Sequence, residues 1–71
     1  MLRITCISKL RDKNNIIYGY RIMDIDTKQV KDVTPVQLKN AIALKQCECD
    51  NLTLTSDWRL INSNGSVELN W

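Results

Sequence analysis

Three thiols, two tryptophans and a run of cations are the side chains of this 71-residue chain whose types invite chemistry. Cys6, Cys47 and Cys49 are an odd number, and no basic-then-apolar leader opens the sequence, so reduced thiols in a cytoplasmic setting are expected rather than a disulfide framework. Zinc is the sharper alternative, because Cys47-x-Cys49 with Cys6 could offer three thiolates. A structural zinc site closes with four ligands, usually spaced C-x₂₋₄-C, and the chain has no histidine to complete it. Only Glu48 or Asp50 could serve as an unusual fourth ligand. Small, buried, inert thiols holding no metal are therefore expected. The same lack of histidine removes the usual base of serine or cysteine nucleophiles. Asp24 and Asp26 form the one close carboxylate pair considered for acid–base work, but they run into a turn, where Asp serves local hydrogen bonding. Gly19 and Gly65 are the only glycines, too few and too far apart for a phosphate-cradling loop. An enzyme is not expected, nor any cofactor.

Binding is the function class left. Arg3, Lys9, Arg11, Lys13 and Arg21 would project from one hairpin and its turn as a basic face. Residues 1–31 carry seven Lys/Arg against three Asp, and residues 32–71 three against five acids, so the net +2 conceals a polarised chain. Such a face could meet a nucleic-acid backbone. Aromatic residues make up only 6% of the chain, and neither tryptophan falls in the basic half, which leaves few platforms for base stacking. Trp58 offers a different surface. It stands in a turn between Asp57 and Arg59, and a large aromatic with a polar rim is the usual anchor of a protein interface. Its other reading is a lid folded over the sheet edge to complete a small core. Trp58 and Arg59, with the apolar Ile17 and Met23 that one strand leaves uncovered, form the expected partner-binding set. The partner expected is a host or element protein, or a second copy in a homodimer. Nucleic acid, through Arg3, Lys9, Arg11, Lys13 and Arg21, is the alternative. A membrane is not expected, because the longest apolar run, Ala41–Leu44, is far short of the ~20 residues of a span.

The elements that must position these residues are legible from periodicity. Residues 2–10 alternate as a half-buried strand, with Leu2, Ile4, Cys6 and Leu10 on one face and Arg3, Thr5, Ile7 and Lys9 on the other. Asp12–Asn15 is a turn, and residues 16–25 a second strand whose core face is taken as Ile16, Tyr18, Tyr20 and Ile22. A turn at Asp26–Lys28 leads to a short strand over 29–33. Thr34-Pro35-Val36-Gln37 is a helix start with Thr at the N-cap, Pro at the first position and Gln at the third, a capping box. Val33 and Leu38 can staple it, and the helix is expected to end near Lys45 or Gln46 with Lys45 in the last turn. Cys47 and Cys49 fall out of phase with Leu52 and Leu54, and a bulge at Asp50–Asn51 would return all four to one face. Arg59–Ile61 is a short strand, Asn64-Gly65 a hairpin signal, and Val67–Trp71 a last strand with Trp71 in the core. The expected fold is a single small α+β domain over residues 1–71, a mostly antiparallel sheet with one helix, in the order β-β-β-α-β-β-β.

Asp32-Val33-Thr34-Pro35, Leu38-Lys39-Asn40-Ala41-Ile42 and Asn51–Asp57 with Arg59-Leu60-Ile61 resemble a group of small uncharacterised proteins. These are carried by phages, plasmids and conjugative elements of low-GC Gram-positive bacteria. The resemblance spans roughly residues 16–61 and rests on structural punctuation, a capped helix and a turn. It implies a mobile-element origin and no defined activity. In the similar sequences aliphatic residues tend to occupy the positions of Cys47 and Cys49, which implies core thiols. A small or polar residue is more usual at the position of Trp58, which implies that the tryptophan is particular to this chain.

Overall fold

The structure is a computed structural model and describes residues 1–62. The Asn64-Gly65 hairpin, the strand over 67–71 and the placing of Trp71 lie outside the described residues. Within them the chain is the expected small α+β unit. Strands β1 (Leu2–Arg11), β2 (Ile17–Asp24) and β3 (Val30–Val33) form an antiparallel meander. Helix α1 (Pro35–Ala43) then carries the chain across one face of that sheet to its far edge. There β4 (Cys47–Cys49) pairs parallel to β1, giving the order β3-β2-β1-β4. β5 (Leu52–Leu54) and β6 (Leu60–Asn62) are a separate antiparallel pair.

The capping box is present: Gln37 N–H donates to Thr34 Oγ1 at 3.1 Å and Thr34 N–H to Gln37 Oε1 at 3.0 Å. Leu38 is fully buried and Val33 packs against the same cluster. The helix ends sooner than expected. Leu44 is the C-cap, and Lys45 lies beyond it at φ 57°, outside the last turn. Lys45 N–H donates to Ile42 O and Gln46 N–H to Ala41 O, the paired bonds of a Schellman closure with lysine where glycine is favoured.

The core comprises Ile4, Cys6, Tyr20, Ile22, Leu38, Cys47, Leu52 and Leu60. The tyrosine face of β2 is split rather than continuous. Leu10 pairs with Gly19 but Arg11 with Ile17, so Tyr18 is one residue too many and the phase inverts there. Tyr20 and Ile22 point inward, whereas Ile16 and Tyr18 are 60% and 57% exposed, and Ile17 turns toward the core instead. A second irregularity lies in β1, where Cys6 pairs with Ile22 and Ser8 with Arg21, leaving Ile7 extra. Beyond it Lys9 stands opposite Tyr20 on the core face and Leu10 opposite Gly19 on the outer one, the reverse of strict alternation.

Cys47–Leu54 is not one bulged strand. Asp50 N–H donates to Ile4 O at 3.1 Å, continuing the β1–β4 ladder by one step. The Asn51 side chain then takes over, its Nδ2 donating to Cys6 O at 2.7 Å and its Oδ1 accepting from Cys6 N–H at 3.0 Å. An amide side chain thus stands in for the next peptide of the strand, freeing the backbone to turn into β5. Cys47 and Leu52 are buried and Cys49 and Leu54 pack against them, so all four reach the core from two sheets.

Candidate interaction site

Two of the tight turns share one hydrogen-bonded frame. In the β1–β2 turn Asp12 N–H donates to Ile16 O, Asn15 N–H to Asp12 O, and Asp12 Oδ1 accepts from the N–H groups of Asn14 and Ile16. In the β5–β6 turn Thr55 N–H donates to Arg59 O, Trp58 N–H to Thr55 O, and Thr55 Oγ1 accepts from Arg59 N–H. Each is a three-residue hairpin loop closed by a left-handed residue, a position that favours Gly or Asn. Asn15 fills it in the first at φ 65°; Trp58 fills it in the second at φ 61°. A bulky aromatic there is an outlier that costs about 1–3 kcal/mol, and turn formation itself gives no reason to carry it. Trp58 is 48% exposed, and Ser56, Asp57 and Arg59 beside it are exposed too.

The other members of the expected partner-binding set lie elsewhere. Ile17 packs against the core, contrary to its expected outward position, because of the inversion at Tyr18. Met23 is half-buried on the outer face of the sheet, between Thr5 and Val30. The structure does not bring Trp58, Arg59, Ile17 and Met23 into one patch on a single element face.

Two of the five cations of the basic hairpin are paired with acids of the β2–β3 turn and of β3. Arg3 Nη2 reaches Asp26 Oδ1 at 2.6 Å, and Arg21 Nε reaches Asp32 Oδ1 at 2.9 Å. The guanidinium bonds hold both carboxyls below the usual range and raise both arginines. Lys9 is half-buried on the core face with its Nζ out of solvent. Arg11, whose Nη1 donates to Asn15 O, and Lys13 stand exposed at the turn.

All three thiols face the core, Cys6 and Cys47 buried and Cys49 half-buried, and none of them is in a disulfide. Burial pushes the thiols of Cys47 and Cys49 up. Cys49 pairs with Ile4, so Cys6 lies two residues along the neighbouring strand. A ladder spacing of about 4.8 Å and a rise of ~3.3 Å per residue put those Cα atoms roughly 8 Å apart, too far for a disulfide. Glu48 points to the opposite face from both its cysteine neighbours, which removes it as a fourth ligand. Among the described residues no group of three or more metal-type ligands converges.

Periodicity gave no sign of two features. Asn51 reads from sequence as part of a bulge within one strand, yet its side chain splices two sheets. A cleft of about 570 Å³ opens between α1 and the sheet, floored by Leu2, Ile4 and Ile22 and edged by Lys31, Asn40 and Gln46. It exists because a nine-residue helix is only ~13 Å long, whereas the ten residues of β1 extend ~33 Å. Leu2 is left 45% exposed in consequence. Among the described residues no helix is long and apolar enough to cross a membrane. Comparison with known proteins finds no family model that matches this chain, no similar curated protein and no similar solved structure.

Proposed function

We propose that this chain is a small, non-enzymatic protein-binding module of a phage or other mobile element, acting in the cytoplasm with Trp58 as its anchor. The observation that carries the reading is the half-exposed indole on a left-handed backbone, in a turn whose twin uses asparagine. Strain kept at a surface position is characteristic of residues retained for contact rather than for folding. The arginines tied to Asp26 and Asp32 weigh against the nucleic-acid alternative, since phosphate binding draws on an array of available cations.

Trp58→Asn tests the reading. Relief of the left-handed strain should raise Tm by several degrees, since ~1 kcal/mol moves a domain of this size by roughly 4–8 °C. Capture of protein partners on the immobilised chain should fall at least tenfold, as for loss of an interface anchor. A fall in Tm of many degrees with capture intact would make Trp58 part of the domain's own core. Loss of binding in an Arg11→Ala, Lys13→Ala variant alone, with steep salt dependence on DNA or RNA, would establish the nucleic-acid reading instead.

A further inference from the structure

We infer that the outer edge of β3 receives an extended segment of a partner protein as an added antiparallel strand, with an acidic side chain opposite Lys31. This surface lies on the four-stranded sheet, whereas Trp58 stands in the turn of the other sheet. The inference therefore does not rest on the anchor reading. β3 ends the sheet and pairs on one side with β2. Asp24 N–H donates to Gln29 O at 2.8 Å just before the strand, which sets the phase of the ladder. By antiparallel alternation Lys31 and Val33 then turn their backbone groups toward Ile22 and Tyr20. Val30 and Asp32 turn theirs outward, an N–H and a C=O each. Among the described residues no backbone group answers them. The run is bounded by the turn at Lys28, whose N–H donates to Asp24 O, and by Thr34, whose N–H donates to Gln37 Oε1. The edge thus fits a short extended segment, held mainly by main-chain hydrogen bonds.

Charge decides which segment. Lys31 is the cross-strand partner of Ile22 and projects from the same face of the sheet. It is exposed and makes no ion pair among the described residues. The neighbouring carboxylate, Asp32, projects from the opposite face and is held by Arg21 Nε at 2.9 Å. One available cation therefore flanks the middle position of the added strand. An acid there gains an opposite-charge cross-strand contact, and a lysine there is repelled. Val30, 50% exposed, offers apolar surface to the adjoining position.

The same residues turn away a second β3. With Val30 and Asp32 presenting the hydrogen bonds, antiparallel overlap of two such strands by more than one residue sets Lys31 against Lys31 or Asp32 against Asp32. Like charges directly opposite are destabilising. A lysine on an edge strand guards against unwanted pairing, and a segment with an acid opposite it is the one that passes the guard.

The test titrates the isotope-labelled full chain with an end-blocked peptide of sequence Thr-Val-Glu-Val-Thr and follows the amide resonances. Binding is expected to be weak, with Kd on the order of 0.1–1 mM for so short a strand. Shifts should centre on β3, and exchange of the Val30 and Asp32 amides should slow on saturation. A peptide with Lys in place of Glu should bind about tenfold more weakly, and the Lys31→Glu variant should reverse that order. Methylating the backbone nitrogens of both valines removes the donors that face β3 and should abolish binding. Val30→Pro removes a donor that β2 does not use and should weaken binding while the circular dichroism is kept. The methylated peptide keeps the test decisive if that variant does not fold. No shift on β3 at about 2 mM peptide, equal binding of the methylated peptide, or equal binding of the Glu and Lys peptides overturns the inference. None of these results touches the anchor reading, which is judged by Tm and capture in Trp58→Asn.

Discussion

At the scale of single residues, two side chains do what their neighbours' backbones cannot. Trp58 occupies a conformation that costs energy locally, and its twin Asn15 shows what the same frame accepts without that cost. Asn51 acts in the opposite direction and stabilises. Its amide satisfies the N–H and C=O of Cys6 where β4 has ended, and its Oδ1 also accepts from the Cys49 thiol at 3.2 Å. Asn51→Leu would leave both groups of a buried residue without these bonds, and an unsatisfied buried group costs about 1–3 kcal/mol. Urea denaturation should show a loss of about 2–4 kcal/mol, and Asn51→Asp, which keeps the acceptor but loses the donor, a smaller one. An unchanged midpoint for Asn51→Leu would mean that the splice carries no weight.

At the scale of elements, the helix is bounded by one favourable cap and one that can be improved. Thr34→Ala removes the hydroxyl that receives Gln37 N–H and should cost about 1 kcal/mol. Lys45→Gly places the residue without a Cβ penalty at the left-handed closing position and should gain about 0.5–1 kcal/mol. Opposite shifts of Tm in the two variants check both ends of the helix. The strands make a sharper demand at Gly19. A Cβ there would lie 2.9 Å from the backbone oxygen of Val33, and β3 cannot yield without loosening its pairing to β2. Gly19→Ala should destabilise by about 1–3 kcal/mol, the usual range for overpacking, with amide exchange of β3 accelerated before that of β1. Its tolerance would show that the two strands are spaced more loosely beside Tyr18.

At the scale of the whole molecule, the ion pairs and the path of the chain set the behaviour. Asp26 and Asp32 have folded carboxyls held below their ordinary range by Arg3 and Arg21. Their contribution is present above the unfolded value of about 4 and is lost as pH falls through the folded values. Replacing both by Asn should lower Tm at pH 7 slightly and flatten the decline of Tm below pH 4, with the difference shrinking in high salt because both pairs are exposed. A parent and double variant with parallel acid limbs would show that the pairs do not contribute.

The sequence by itself determined what depends on near neighbours along the chain. The α+β class, the first three strands, the proline-started capped helix and the turns at 12–15 and 26–28 all follow from spacings of one to four residues, and all are present. Trp58 was visible as a surface candidate for the same reason, being set in a turn, with Arg59 as its polar neighbour. Tertiary pairing decided the rest. One extra residue at Ile7 and one at Tyr18 inverted the faces of two strands, carrying Lys9 and Ile17 inward and Tyr18 and Leu10 outward. Alternation with a period of two cannot reveal such an inversion, because the partner strand chooses where to skip. The partition of Cys47–Leu54 between two sheets was likewise set by a side chain 45 positions from its hydrogen-bond partner. The pairing of Arg3 with Asp26 and Arg21 with Asp32 required the register of the meander. The cleft required the mismatch between a short helix and a long strand. Each depends on distances across the fold, which near-neighbour spacing does not encode.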